Sequence, residues 1–393
     1  MTRCNNMTAF KPIKLPNWKR CVIKIGSAII DPDGKGCATR YLLSIANFIN
    51  QSIQDGKEVI VVSSGAVVAG WSTQPQYPRN TPLSIPRKQA FSAIGQPMVF
   101  FLWKQLFDYP CAQLLITQDD LLNRRRFINV KNTLLELLRL KALPIVNEND
   151  TVMVQQLKVG DNDNLSAHVA DLVEADILFI CSDIDGLYTG NPYTEKTVNL
   201  VPEIRKIDES VYRMAGESNN PMAVGGMRTK IQAAEKATSR GIDVVILHGK
   251  KAENFDLMVR GKVVGTLFHR TMSPRAAKKH WILHAMPSSG EIIVDEGAAK
   301  ALLHRSASLL PSGVVQIHGK FDHGDAVKIY RESISKANLI AKGLTQYNSE
   351  DMRKLIGRQS HEIQDVLGYF VSSSIVHRDD MVIVSTVKKE DLI

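Results

Sequence analysis

From Cys21 to about Gly249, short runs of consecutive apolar residues alternate with longer segments in which apolar residues recur every three or four positions. CVIKIG, EVIVVSSG, CAQLLIT, ALPIVNEND, DILFICSD and DVVILHG are of the first kind. They are short and rich in Val and Ile, so they read as strands buried on both faces. TRYLLSIANFINQSIQDG, PRKQAFSAIGQPMVFFLWKQLF, FINVKNTLLELLRLK, DNLSAHVADLVEA and MRTKIQAAEKATSRG are of the second kind and read as helices. Alternation of the two builds right-handed crossovers, which predicts an α/β fold with a largely parallel sheet flanked by helices on both faces. Ligands of such sheets bind at the carboxyl ends of the strands. The polar residues and glycines just after each run are therefore the ones to weigh.

The pattern changes near His269 to Lys279, a basic stretch containing Pro274 that reads as a linker. Beyond it, EIIVDE, GVVQIHG, GDAVKIYR and LIAKGLTQY are short strands broken by turns, with small helices at GAAKALLHR and SEDMRKLIG. The expected division is an N-terminal extension over 1–18, an α/β domain over 19–268, a linker over 269–279, a small mainly-β domain over 280–383 and a tail over 384–393.

Length and composition narrow the class. A chain of 393 residues with 44% hydrophobic and 23% charged residues has room for two or three ordinary globular domains, which excludes a disordered or fibrous protein. The first 20 residues lack the apolar core of a signal peptide, and no later run is long enough to span a bilayer, so a cytoplasmic protein without a membrane segment is expected. Five cysteines without a CxxC pair read as reduced thiols, most of them in the core. The net charge of +9 favours anionic partners, and its location matters more than its size. Residues 276–393 hold 15 Lys and Arg against 14 Asp and Glu, so the excess belongs to the α/β part.

Four clusters follow predicted strands. Lys24-Ile25-Gly26-Ser27 puts a cation, a glycine and a hydroxyl at a strand end. Ser63-Ser64-Gly65-Ala66 closes a strand and enters a helix of small residues, where backbone amides can approach an anion. Asn147, Glu148, Asn149 and Asp150 end a third strand, and Gly160-Asp161-Asn162-Asp163-Asn164 opens the next helix. Capping needs one such residue per helix end. Eight gather here, which favours a polar binding surface. Gly225-Gly226-Met227-Arg228-Thr229-Lys230 opens a further helix, a glycine pair suited to phosphate with a lysine one turn in. There is no GxxxxGK[ST], no protein-kinase motif set, no HExxH and no metal-ligand spacing among the ten histidines. A bound nucleotide has to be held another way.

In this order, KIGS, VVSSGAV, AIGQ, NENDTV, GDNDNLSAHVADLVEAD, GLYTGNP and GGMRTKIQAA resemble the amino acid kinase family, and within it the glutamate 5-kinases of proline biosynthesis. The C-terminal segments SGEIIVDEGAAKALL, SLLPSGV and LGYFVSSSIVHRDDMV resemble the PUA domain appended to those kinases. The resemblance runs from about Lys19 to Val382. It implies transfer of the γ-phosphoryl of ATP to the side-chain carboxylate of L-glutamate, with Mg²⁺, proline as feedback inhibitor, a homo-oligomer and delivery of the product to glutamyl phosphate reductase.

The resemblance also implies roles. Lys24 and Lys230 would flank the phosphoryl group, Asp163 would orient them, and Gly26, Ser27 and Gly65 would lend backbone amides. Ser64, Gly65, Asp150 and Asn162 would bind the amino acid. Lys24, Gly26, Ser27, Ser182, Asp183 and Val224, Gly225, Gly226, Met227, Arg228, Thr229 and Lys230 would line the ATP side. A carboxylate acceptor is already ionised at neutral pH, so no general base is needed. The chain departs from the family at Ala223-Val224, where Gly-Thr is usual, which removes a hydroxyl and some backbone freedom. PUA-like domains elsewhere bind RNA, and sister kinases act on other acceptors. The near-neutral balance of residues 276–393 argues against RNA, because phosphate-backbone binding uses clustered Lys and Arg.

Overall fold

The computed structural model describes residues 11–384 except 80, 153–161, 193, 196, 217–225, 273 and 306. The N-terminal extension up to residue 10, the tail after residue 384 and the residues Gly160, Asp161, Ala223, Val224 and Gly225 thus lie outside the described set. By its internal contacts the chain forms two units. One combines the chain up to Leu122 with Val130–Pro274, and the other combines Asn123–Asn129 with the chain after Pro274.

In the first unit the strands of the main sheet are β1 (Arg20–Ile25), β2 (Glu58–Ser63), β3 (Cys111–Ile116), β4 (Leu143–Glu148), β5 (Ile177–Ser182), β6 (Glu203–Ile204), β7 (Asp243–His248) and β8 (Thr266–Phe268), and Ile13–Lys14 pairs separately with Lys262–Val263. The main sheet has the order β3-β4-β2-β1-β5-β7-β8-β6. Every pairing is parallel except β8 with β7. The six predicted strands are all present, and the two added at one edge are too short to give a periodic signal. Strand order reverses at β1, whose neighbours are β2 and β5. That is the switch point where a crevice opens at the carboxyl ends.

Helices α1 (Leu42–Gln54), α2 (Ala66–Ser72), α3 (Ile85–Lys104), α4 (Asn162–Leu172), α5 (Met227–Ser239) and α6 (Ala252–Val259) supply the cover. On one face Ile23, Ile25, Phe48, Phe179 and Phe255 are buried together, with the Phe48 ring 5.9 Å from Phe179 and 6.3 Å from Phe255. This packs α1 and α6 against β1 and β5. Lys24 is the odd member of the otherwise apolar end of β1, and its alternation with Ile23 and Ile25 turns it away from that core. Helices α2 and α3 meet backbone to backbone. A Cβ at Gly70 would stand 1.9 Å from the Phe91 carbonyl oxygen, and one at Gly95 would stand 1.9 Å from that of Ala66. Glycine at these positions fixes where α3 crosses the strand ends.

In the second unit β9 (Ser288–Val294), β10 (Val314–Gly319), β11 (Ala326–Arg331), β12 (Leu339–Thr345) and β13 (Val376–Ile383) form a sheet in the order β10-β9-β11-β12-β13. Only β9 and β11 pair in parallel. Ile292, Val327, Ile329, Ile340, Tyr347 and Met352 lie in its core. Strand β13 was not among the expected ones, because VHRDDMVI carries charges at its centre and lacks alternation. The basic stretch after His269 contains a helix, Pro274–His280, followed by one π-helical turn over Trp281–Ala285. No helix among the described residues is long and apolar enough to cross a membrane.

Candidate active site

Three buried charges meet above β1. Lys24 comes from that strand, Asp163 is the second residue of α4 and Lys230 the fourth of α5. Lys24 Nζ lies 2.6 Å from Asp163 Oδ1, and Lys230 Nζ lies 3.1 Å from Oδ2. The residues are 6%, 1% and 6% exposed for Lys24, Asp163 and Lys230 respectively. The Thr229 hydroxyl stands 2.8 Å from Asp163 Oδ2 and 2.8 Å from the Gly226 carbonyl oxygen, to either of which it can donate. Burial by itself pushes the Asp163 carboxyl up. Lys24 and Lys230, with hydrogen bonds from Lys24 and Thr229, outweigh that and hold it well below the usual carboxylate range. One carboxylate between two ammonium groups leaves a positive centre, which suits an anion in transit.

Beside this centre lies a polar chain. Asn162 Nδ2 donates to Ser64 Oγ at 2.8 Å and to Asn147 Oδ1 at 2.9 Å, and Asn147 Nδ2 donates to Gln96 Oε1 at 2.7 Å. The Ser92 hydroxyl donates to Asp150 Oδ2 at 2.7 Å. Burial pushes the Asp150 carboxyl up, and the Ser92 bond offsets this only in part. Asn162 Oδ1 is buried and has no hydrogen-bond partner among the described residues. A buried acceptor without a donor marks a place where a ligand N–H or O–H fits.

One cavity of about 610 Å³ gathers most of the expected residues. Lys24, Gly26, Ser27, Ser64, Gly65, Asp150, Asn162, Asp163, Ser182, Asp183 and Lys230 all line it. Gly226, Met227, Arg228 and Thr229 do not line it. Thr229 reaches the cavity only through Asp163, and the Arg228 guanidinium lies over the Tyr212 ring at 5.6 Å. Val224 and Gly225 fall outside the described residues.

The backbone amides divide. The Gly26 N–H is turned to the Cys181 carbonyl oxygen at 3.3 Å, away from the role expected of it. Ser27 opens a helical turn and Gly65 is the N-cap of α2, positions whose N–H groups have no intrahelical acceptor. Gly65 has φ 109°, and a Cβ there would stand 2.8 Å from Ile30 Cγ2, so glycine is required on both counts. Cys181 also lines the cavity, but burial pushes its thiol up to about 12, with Lys24 opposing, so it is no nucleophile at neutral pH.

Sequence reasoning did not assign roles to Ser92, Gln96 or Asn147, which bond to the expected residues, nor to Lys88 and Trp71, which line the cavity. A signal existed. Lys88, Ser92 and Gln96 are polar at four-residue spacing in a helix whose other inward residues, Phe91, Val99 and Trp103, are apolar.

Residues 19–248 match the amino acid kinase family model and residues 290–367 match the PUA domain model. A glutamate 5-kinase of Salinibacter ruber is 52% identical over 371 residues, spanning 94% of this chain and 99% of the relative. One of Idiomarina loihiensis is 47% identical over the same length and shares. One of Xylella fastidiosa is 43% identical over 384 residues, spanning 98% of this chain and 100% of the relative. The chain belongs to the amino acid kinase family and, within it, to the glutamate 5-kinases.

Proposed function

We infer that this chain transfers the γ-phosphoryl group of ATP to the side-chain carboxylate of L-glutamate, giving L-glutamyl 5-phosphate and ADP, the first step of proline biosynthesis. The observation that carries the reading is the Lys24–Asp163–Lys230 centre set in the same cavity as Asp150, Asn162 and Ser64. The acceptor carboxylate attacks Pγ, the bond from Pγ to the bridging oxygen breaks, and ADP leaves. Two anions must be brought together, so the catalytic demand is for fixed positive charge along the path of the phosphoryl group. Lys24 and Lys230 supply it. Asp163 keeps both ammonium groups oriented, and the amides of Ser27 and Gly65 add donors.

On the acceptor side Asp150 takes the α-ammonium group, with Asn162 and Ser64 beside it. Ser182 and Asp183 border the nucleotide side together with the start of α5. Among the described residues no three His, Cys, Asp or Glu side chains converge to hold a metal. Magnesium fits as a companion of the triphosphate, with Asp183, whose neighbour is the Ser182 hydroxyl, as the carboxylate at hand. When bound it neutralises phosphate charge.

The same reading makes residues 19–268 the catalytic domain and 280–383 an accessory domain, none of whose described residues lines the cavity. It also carries proline as end-product inhibitor, a homo-oligomer in the cytoplasm, and hand-over of the reactive acyl phosphate to a reductase. The test is ATP-dependent formation of γ-glutamyl hydroxamate when hydroxylamine traps the product. ADP release without hydroxamate, or activity confined to a nucleotide acceptor, would overturn the reading.

A further inference from the structure

The mechanism leaves one cation of the cavity without a task. Lys88 lines the cavity and is half-buried. Its side chain has no hydrogen-bonding or ionic partner among the described residues. The other two lysines on the wall are both committed to Asp163. A cation kept in a partly desolvated cleft without a counter-charge is unfavourable unless a ligand brings the charge.

Its place on α3 narrows what that ligand group is. Residues four apart on a helix share a face. Ser92, one turn after Lys88, donates to Asp150, and Gln96, one turn further, bonds Asn147. Lys88 is therefore the next rung of the ladder that sets the acceptor side, one turn before the residue that bonds Asp150, and it lines the same cavity as that carboxylate. Lys88 and Asp150 form no ion pair with each other, so neither charge is spent on the other. Lys88 also lies in the first turn of a helix of 20 residues, where the positive end of the helix adds to its attraction for an anion.

Resting on the phosphotransfer reading above, we propose that Lys88 binds the α-carboxylate of the acceptor amino acid, so that Lys88 and Asp150 together recognise its zwitterionic head. Glutamate carries two carboxylates. The positive centre at Lys24 and Lys230 takes the reacting one, and without a second cation the two ends could bind in either sense. Lys88 sets which carboxylate is phosphorylated.

The test compares L-glutamate with its α-amide, which keeps the side-chain carboxylate and the ammonium group but has no α-carboxylate. Wild type, Lys88→Ala and Lys88→Gln are assayed for hydroxamate formation, with circular dichroism on each; the glutamine variant keeps the side-chain length should alanine perturb α3. Both variants are expected to lose about a hundredfold in kcat/KM for glutamate, mainly through KM, the size of one charge-assisted contact. The α-amide and the KM for ATP should change by less than about threefold, so that discrimination between the two acceptors collapses. Equal losses on glutamate and α-amide, or no loss on either, would overturn the assignment of Lys88 while leaving the kinase reading in place. A wild-type chain that forms no hydroxamate from glutamate would overturn both.

Discussion

Two buried lysines of this molecule meet opposite fates. Lys230 of the kinase unit and Lys342 of the C-terminal unit are 6% and 8% exposed. Lys230 faces Asp163, which it shares with Lys24, in the wall of an open cavity. Lys342 on β12 donates to the backbone carbonyls of Leu283 and Met286, at the end of the helical stretch that starts at Pro274. Both are desolvated. Burial of a charge is thus not in itself a mark of function; what separates the two is the kind of acceptor and whether the ammonium group still faces open space. Shared carboxylate contacts leave Lys230, on the proposed reading, able to redirect a donor to an incoming phosphoryl group, whereas helix-end carbonyls use Lys342 as a structural cap.

The comparison breaks first at Lys230. Lys230→Ala is expected to lower kcat about a hundredfold, about 3 kcal/mol of transition-state stabilisation, with little change in glutamate KM. Steady-state kinetics on protein that is folded by circular dichroism check this; near-normal kcat would take Lys230 out of the catalytic set. Next in size is Asp150→Ala. Glutamate KM should rise roughly 30-fold, the scale of a lost hydrogen bond to a charged group, while ATP KM stays within about twofold. An equal rise in both constants would make Asp150 a structural residue.

A smaller, graded effect follows from the two carboxylates of the cavity, whose environments move them in opposite directions. Burial raises Asp150 above the ordinary value of 3.8, and the lysines hold Asp163 below it. As pH falls, Asp150 takes up its proton first, while Asp163 stays ionised. Glutamate KM should therefore rise on the acid side before kcat does, by up to about tenfold per pH unit below the raised value. The stability terms have opposite signs. The depressed Asp163 contributes stability that is present above the ordinary carboxylate value and is lost only as pH falls towards its folded value. The raised Asp150 disfavours the fold in full above its folded value, progressively less as pH falls from there to the ordinary carboxylate value, and not at all below that. A pH profile in which kcat fell at higher pH than kcat/KM for glutamate would contradict this ordering.

Much of this is legible in the sequence. The six strand runs have no charge in their centres except Lys24, and that exception became a member of the charged centre. The eight clustered Asp, Asn and Glu residues drew attention to Asp150, Asn162 and Asp163, and the cavity holds all three. What escaped was contact between distant segments. The bond from Ser92 to Asp150 joins positions 58 apart, and nothing local in RKQAFSAIGQ states that its polar rungs face NEND. Strand β8 escaped because it has three residues and its antiparallel sense depends on β7 rather than on its own pattern. Gly26 shows the limit of carrying a motif over, since KIGS marks the turn but not which neighbour receives the amide.

The smallest kinetic effect belongs to Lys342, and it is the sharpest check on the comparison. Its register partner on β11 is Lys328, so the strand pair places like charges opposite each other. Burial lowers the pKa of the Lys342 ammonium group, and Lys328 adds to the shift. Lys342→Met removes that repulsion and fills the space with apolar volume, but it strips the carbonyls of Leu283 and Met286 of their donor. An acceptor left without a donor costs about 1–3 kcal/mol, more than relief of one partly screened like-charge pair returns. The net expectation is a fall of a few degrees in the melting temperature of the C-terminal unit, with kcat and both KM values within about twofold of wild type. A large loss of kcat with an unchanged melting curve would mean that Lys342 acts in the reaction after all. The distinction between a capping lysine and a catalytic one, drawn from what each ammonium group faces, would then fail at the position where it is most exposed to test.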